Sequence, residues 1–207
     1  MINNQKGSFT VELTLIIVLI SGMCLYITDN MLSINRKGQL DRLTYSLATM
    51  LSEREALFGG ELHLCEKGTG IDTNAKCDEV AEEIFEIAKG SMRRMISAFD
   101  LHMFGVRIDE IYIEPREQIG GIKDTKLQIT LFDGDNRRCD YAGSAAYISE
   151  DEAFEMLPRK PDGSYIPMYV VSLCYVKTFN LTGVTSDYLQ IFRRSHIQSS
   201  TFSFARG

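Results

Sequence analysis

A single carboxylate, Glu12, stands inside a long apolar run, four residues after the junction between Gly7 and Ser8. If the chain is cut after Gly7, Ser8 carries a free α-amino group, whose ordinary pKa is about 7.7 to 8. A charged side chain costs up to about 2.5 to 3.5 kcal/mol at the centre of a bilayer, and less near its edges. An amine on a neighbouring copy would neutralise Glu12, so this spacing favours side-by-side assembly in a membrane.

The other candidates for catalysis or metal binding lack the spacing that such chemistry needs. The three histidines, His63, His102 and His196, form no i, i+4 pair. Asp133, Asp135 and Asn136 predict a hairpin turn, because a calcium loop needs further ligands and a distal glutamate. Gly120-Gly121 and Ala142-Gly143-Ser144-Ala145 lack the frames of a phosphate loop and of a nucleophile elbow. We therefore expect no catalytic residue, no metal site and no cofactor, and an envelope enzyme would need a catalytic cluster that the sequence does not offer.

Cysteine usage favours an oxidising compartment. Cys24 lies in the apolar run and is expected to be an inert packing residue, which leaves an even number beyond it: Cys65, Cys77, Cys139 and Cys174. None of them forms the C-x-x-C of a zinc or thioredoxin site, so we expect two disulfides, each stabilising by about 2 to 4 kcal/mol. Three pairings remain open. We favour Cys65 with Cys77 and Cys139 with Cys174, because the first pair flanks a turn-rich loop.

Composition limits the class of protein. The 207 residues are 44% hydrophobic, enough for one domain with a sizeable core and an extension. The formal net charge is −6 and no basic stripe runs along the chain, which argues against nucleic acid as a partner.

The apolar run is long enough to span a membrane. About twenty residues lie between Ser8 and Asp29, and a helix of that length reaches about 30 Å. Lys6 before the run and Asp29 after it place the N-terminus in the cytoplasm and the bulk of the chain outside. The run lacks the A-x-A site of a cleaved secretory signal, and Met23 before Cys24 does not fit a lipoprotein signal.

Hydrophobic periodicity predicts helices first and strands afterwards. The apolar run continues as one long helix over residues 9–58, with Gly38 as a weak point and Gly59 and Gly60 at its end. Its second half carries an apolar stripe of Leu40, Leu43, Leu47, Met50 and Leu57. A loop over 62–76 and a helix over 78–99 follow. Strands are predicted over 106–114, 127–132, 168–179 and 198–204, the third central and the last at an edge. This order indicates an α+β fold with an antiparallel sheet packed on the long helix.

The stretch from Lys6 to Glu12, KGSFTVE, followed by the apolar span resembles the class III signal of type IV pilin-like proteins. That signal combines a short basic leader, a glycine, a cleavage point and a glutamate at mature position five. Over the whole chain, including RRCDYAG and VVSLCYVKTF, the sequence is similar to the TadF-like pseudopilins (TadE/TadF family) of tight adherence (Tad/Flp) pilus systems.

The resemblance implies a type IV pilin-like fold and a prepilin peptidase that cuts between Gly7 and Ser8. Its implied partners are TadE-like and Flp-like pilins and pseudopilins, the peptidase, the inner-membrane assembly platform and the membrane. Ser8 stands where many type IV pilins have Phe, and Glu12-Leu13 replaces the Glu-Tyr of Flp-type major pilins. Together with the large outer domain, these departures favour an accessory subunit over a major one.

The expected organisation is a leader over 1–7, a transmembrane helix over 8–28, an amphipathic continuation over 29–58 and a periplasmic α+β domain over 59–207. On this interpretation the protein is a minor pilin or pseudopilin, a peptidase substrate rather than an enzyme, that acts in pilus assembly or initiation. The alternative is an uncleaved, signal-anchored periplasmic sensor or binding domain.

Overall fold

The computed structural model describes residues 5–53, 63–64, 73–96, 99–118, 121–134, 148–176 and 196–206. Two long helices come first in the chain: α1 over Gln5–Ser52 and α2 over Thr73–Met95. A single 3-10 turn, Leu101–Met103, leads into the sheet. α1 is unbroken over 48 residues, about 72 Å, and it runs from the N-terminal residues into the domain.

Four strands form one antiparallel sheet. They are β1 (Phe104–Gln118), β2 (Gly121–Gly134), β3 (Met168–Val176) and β4 (His196–Phe204). Their order across the sheet is β2-β1-β3-β4, and every neighbouring pair is antiparallel. The α+β prediction is confirmed, with β3 inside the sheet and β4 at an edge as expected.

One face of the sheet, called here the helix face, is covered by α1 and α2. The second half of α1 contacts β3 and β4, and α2 contacts β2, β1 and α1. On α1 the buried leucines recur every three or four residues, so they form one stripe; they are Leu40, Leu43, Leu47 and Leu51. Below them, alternate strand residues fill the core: Phe104, Val106, Ile108, Tyr169, Val171, Leu173 and Tyr175. In the described part of the predicted apolar stripe the leucines are buried and Met50 is half-buried, while Leu57 lies outside the described residues.

The opposite face carries a second, smaller core beneath a short helix, α3, over Glu150–Met156. Ala153 and Leu157 pack there on Ile111 and Met168. Ser149 and Glu152 form a capping box, in which each side chain accepts from the other residue's backbone N–H. The Ser149 backbone N–H, followed by its hydroxyl, holds the pKa of Glu152 below its ordinary value of 4.5.

Several element boundaries differ from the predictions. α1 begins at Gln5 rather than at residue 9, and it passes through Gly38 without a break. The α2 helix begins five residues before the predicted position and ends four residues early. β1 continues through Pro115, which pairs with Asp124 of β2. The predicted helix end at Gly59 and Gly60 lies outside the described residues.

Proline fits within β1 for a local reason. The pairing of β1 with β3 ends at Ile111, so beyond that residue β1 is bonded through β2 alone in the described part of the sheet. A strand edge without a partner does not need the N–H that Pro115 lacks.

Gly134 ends β2 in a conformation that only glycine adopts easily. Its φ is +90°, and a Cβ built on it would lie 2.5 Å from the carbonyl oxygen of Phe104 and 2.9 Å from the Phe85 ring. The turn predicted at Asp133-Gly134 therefore coincides with a close approach of β2 to the start of β1.

Replacing Gly134 by alanine is expected to lower the free energy of unfolding by more than the about 1 to 3 kcal/mol that the backbone strain alone costs. Gly163→Ala is the matched control, because Gly163 has a φ of +89° but nothing within 4 Å of a built Cβ. Denaturant unfolding of the full chain in detergent micelles measures both. Equal losses in the two variants would show that the contact with Phe104 carries no cost.

Candidate functional site

The first half of α1 lies outside the domain and exposes apolar side chains along its length. We call the segment over residues 10–34 the exposed stretch. Leu19 is 71% exposed and Ile34 is 72% exposed, values that leave these side chains almost wholly uncovered by the chain itself. Among the described residues one helix is long and apolar enough to cross a membrane, and this segment lies in it. Apolar surface of this extent needs lipid or other protein to cover it.

The polar side chains of the exposed stretch bond to their own helix. The hydroxyls of Thr14, Ser21 and Thr28 each donate to the carbonyl oxygen four residues earlier, at 2.7 to 2.9 Å. The side-chain amide of Asn30 donates to the carbonyl of Tyr26 at 2.8 Å. Such bonds satisfy polar groups within the helix, so these residues add little to the cost of placing it in lipid.

The predicted assembly residues lie at the start of this helix. Gly7, Ser8 and Glu12 all belong to α1, and the Glu12 side chain is exposed. One helical turn separates Ser8 from Glu12, which places them about 6 Å apart along the axis. Both the predicted cleavage point and the carboxylate therefore project from the domain at the far end of the exposed stretch.

The structure describes the predicted cysteine sites only in part. Cys174 lies on β3 and is fully buried, while Cys24 is an exposed free thiol in the exposed stretch. Cys77 belongs to α2, whereas Cys65 and Cys139 lie outside the described residues. The disulfide pairing therefore stays a prediction.

The three histidines lie in different parts of the fold. His63 contacts β1, His102 is exposed on the 3-10 turn, and His196 begins β4. Within the described part of the chain, no three His, Cys, Asp or Glu residues are grouped so that they could hold a metal ion.

A fully buried carboxylate, Glu110, lies in the middle of β1 on the helix face. His63 Nδ1 lies 2.7 Å from its Oε1, and the backbone N–H of Leu64 donates to its Oε2 at 2.9 Å. The His63 ring also packs on Tyr112, with 4.6 Å between ring centroids. Glu110 thus ties the chain at residues 63–64 to the sheet through two hydrogen bonds made away from water.

A second buried charge cluster occupies the opposite face of β1, at Arg107 and Asp109, three residues and one residue before Glu110. Arg107 donates from Nε and Nη2 to the two carboxylate oxygens of Asp109, at 2.7 and 2.9 Å. Thr130 and Gln128 of β2 donate to the same carboxylate at 2.6 and 3.2 Å. Asp109 is fully buried, and its oxygens are held by an arginine and two neutral donors, as a buried charge requires.

Neither charge cluster was predicted from the sequence, although the signal was present. Val106, Ile108, Glu110 and Tyr112 alternate on one face of β1, so an acid shares the apolar face. Such a mixed alternation indicates a strand that is covered on both faces, where the charged side chains must find buried partners. Both clusters are hydrogen-bonded within the fold, and their chemistry is structural.

Comparison with known proteins gives one result. A family model, TadF, described as "Putative tight adherence pilin protein F", matches residues 1–206. No match was found among curated proteins or among solved structures.

Glu110→Gln is expected to lower the free energy of unfolding by about 1 to 3 kcal/mol. An amide keeps one oxygen for the Leu64 N–H and can turn its NH2 towards His63, but both contacts lose the strength that the carboxylate charge gives them. Glu155→Gln, an exposed substitution on α3, is the control and should stay within about 0.5 kcal/mol of the parent. Denaturant unfolding in micelles compares the three proteins, and a Glu110 variant as stable as the control would contradict the role given to this carboxylate.

Proposed function

The chain belongs to the TadF family of tight adherence pilin proteins, and we propose that it is a minor pilin or pseudopilin. A prepilin peptidase cuts it between Gly7 and Ser8, and the mature subunit acts in assembly or initiation of a bacterial tight adherence pilus. A pilin family is a structural kind of protein, so the chain is a substrate of the peptidase and acts through contacts rather than catalysis.

The exposed stretch of α1 carries this proposal. Removing a large aliphatic side chain from water is favourable by about 1.5 to 3 kcal/mol, so exposing the whole stretch costs on the order of tens of kcal/mol. Lipid covers such a helix before assembly, and the helices of neighbouring subunits cover it afterwards. A segment that is continuous with the folded domain and yet exposes its apolar side chains suits a subunit that must transfer from a bilayer to a fibre.

Glu12 gives the assembly its register. After cleavage the Ser8 amine is a cation at neutral pH, and its pairing with Glu12 removes the cost of holding either charge in an apolar setting. The two groups of one subunit lie about one turn apart, so a neighbouring helix that is shifted along the axis presents its amine at the level of this carboxylate. The charge pair therefore fixes the axial offset between subunits.

The subunit crosses the inner membrane once in this proposal. The leader over 1–7 lies in the cytoplasm, 8–28 crosses the inner membrane, 29–58 continues the helix and 59–207 forms the periplasmic domain. TadE-like and Flp-like pilins, the peptidase and the inner-membrane assembly platform are the partners of the subunit, with the membrane itself.

Two disulfides complete the periplasmic domain in this proposal, Cys65 with Cys77 and Cys139 with Cys174. Cys174 supports it by its place, because it is fully buried on β3 opposite Gly105. A bridge from Cys174 to Cys139 links the connection that follows β2 to the centre of the sheet. Because it closes a long loop, it lowers the conformational entropy of the unfolded chain and so stabilises the folded domain.

Expression with a tight adherence prepilin peptidase is expected to give a chain that begins at Ser8. Intact mass measurement detects the loss of the first seven residues, and Gly7→Val, which blocks close approach of the peptidase, is the control that keeps full length. A full-length product from the unaltered chain would instead support the uncleaved, signal-anchored sensor or binding domain.

Glu12→Ala is expected to leave cleavage intact while the amount of subunit recovered in the pilus fraction falls by about tenfold or more. Loss of the counter-ion leaves the partner amine unpaired, a penalty of the order of 1.5 to 3 kcal/mol for a charged hydrogen bond. Ser21→Ala is the matched control, because the Ser21 hydroxyl bonds only its own helix in the described structure. Normal incorporation of the Glu12 variant would rule out the proposed charge pair.

A further inference from the structure

Basic side chains gather at the end of the domain where α1 emerges from it. We call Arg36, Lys37, Arg93 and Arg94 the basic collar. Lys37, Arg93 and Arg94 are exposed, and Arg36 is half-buried beside the Tyr175 ring, with 6.0 Å between its Cζ and the ring centroid. Two of the four come from α1 and two from the last turn of α2.

Contacts between elements bring the collar together. The side-chain amide of Gln39 donates to the carbonyl oxygen of Met95 at 3.3 Å, which holds the C-terminal end of α2 beside α1 just after Lys37. The C-terminal end of α2 therefore lies beside the residues of α1 that follow the exposed stretch. The backbone N–H of Asp100 donates to the Tyr175 hydroxyl at 3.1 Å and brings the 3-10 turn to the same end.

The charge of the collar contrasts with the rest of the molecule. The chain as a whole carries a formal charge of −6. At the collar the four cations are accompanied by the exposed acids Asp41 and Asp100. At the other end of the sheet, the first turn of α3 consists of exposed acids, Glu150, Asp151 and Glu152. Exposed cations also lie at that other end, Lys123 and Arg159 among them, so the collar is distinguished by its position beside the exposed stretch.

Stabilisation of the α2 dipole accounts for part of the collar. Arg93 and Arg94 lie in the last turn of α2, where cations interact favourably with the helix terminus. The dipole effect does not involve Lys37, which lies on α1. It also does not require Arg93 and Arg94 to lie beside the membrane-type helix. The combined placement needs a second cause.

The basic collar lies close enough along α1 to the end of the predicted membrane span to reach the lipid headgroups. Arg36 lies eight residues after Thr28, about 12 Å further along the axis. A leaflet's headgroup layer extends about 5 to 8 Å beyond the hydrocarbon, and the Debye length adds about 8 Å at physiological ionic strength. Arg93 lies near the level of Gln39, about 16 Å beyond Thr28, and an ordinary tilt of about 20° brings that side of the domain closer.

We propose that the basic collar seats the domain on the membrane by binding anionic lipid headgroups of the leaflet from which α1 emerges. The inference rests on the membrane anchorage in the proposed function, but it does not rest on cleavage or on pilus assembly. Clustered Lys and Arg next to a membrane helix bind anionic lipids through their combined charge. The collar thereby fixes the depth and tilt of α1, and with them the level at which Glu12 meets a neighbour.

The test uses the absence of tryptophan from the chain. Asn35→Trp introduces a single fluorophore at an exposed position of α1 beside the collar. The full chain is reconstituted in two sets of phosphatidylcholine vesicles. One set contains a trace of phosphatidylglycerol that carries a spin label on its headgroup, and the other contains a trace of phosphatidylcholine labelled in the same way. The ratio of the two quenching constants measures the preference for anionic lipid.

The expected result is stronger quenching by the phosphatidylglycerol label, with a ratio that falls as salt is raised. Adding Arg93→Gln and Arg94→Gln lowers the ratio by about fivefold for each arginine removed. Lys123→Gln with Arg159→Gln removes two exposed cations from the opposite end and leaves the ratio unchanged. Arg93→Lys with Arg94→Lys keeps both charges and retains the preference.

Equal quenching by both labels in the parent would overturn the inference, and so would loss of the preference in the lysine variant. Flotation with the vesicles after an alkaline wash separates the two proposals. A chain that does not float overturns the membrane anchorage and the collar with it. A chain that floats and prefers phosphatidylglycerol but keeps its leader supports the collar and overturns the processed pilin.

Discussion

The structure depends on one unbroken helix that serves two environments. Between its first and last turns the backbone of α1 satisfies its own hydrogen bonds, which is the condition for placing a helix in lipid and also lets it act as a core element. Its second half is held by leucines against β3 and β4, while the large apolar side chains described in its first half are exposed. Anything that fixes the axis of α1 in the membrane therefore also fixes the position of the domain above it.

The orientation of α1 relative to the domain depends on the contacts that the domain makes with the second half of the helix. α1 is bonded at its end by the C-terminal segment, where the Arg206 N–H donates to the carbonyl of Ser52 at 2.8 Å. That bond satisfies one of the carbonyls that a helix end leaves open. The leucine stripe and this terminal bond act at different levels of α1, so the helix is restrained against tilting within the domain.

Charges on both faces of β1 give the sheet a second kind of specificity. Glu110 faces the helices and holds residues 63–64, while Asp109 on the opposite face gathers Arg107 and the neighbouring strand. A one-residue slip in the pairing of β1 would exchange these faces, separating Glu110 from residues 63–64 and Asp109 from Thr130 and Gln128 of β2. The buried acids therefore favour one register of β1. Apolar residues on both faces would discriminate less strongly between registers.

Periodicity predicted the strands well and their limits less well. β3 was predicted inside the sheet from a continuous apolar run, and β4 at an edge from a short alternating run. The structure places β3 inside the sheet and β4 at its edge. β1 was cut at Pro115, because sequence patterns do not show that the neighbouring strand ends at Ile111. α3 was missed although S-E-D-E at Ser149 is a capping box, since a helix of seven residues is too short to show a period.

The sequence by itself determined the membrane-type helix, the position of Glu12 after Gly7-Ser8, and the order of helices before strands. These features are local, because each depends on residues within a few turns of one another. Only the tertiary structure decided which partners the buried acids take and which basic residues share one end of the domain. Glu110 contacts His63, and Gln39 contacts Met95, through long-range packing. Residue spacing along the chain does not indicate which distant residues come into contact on folding.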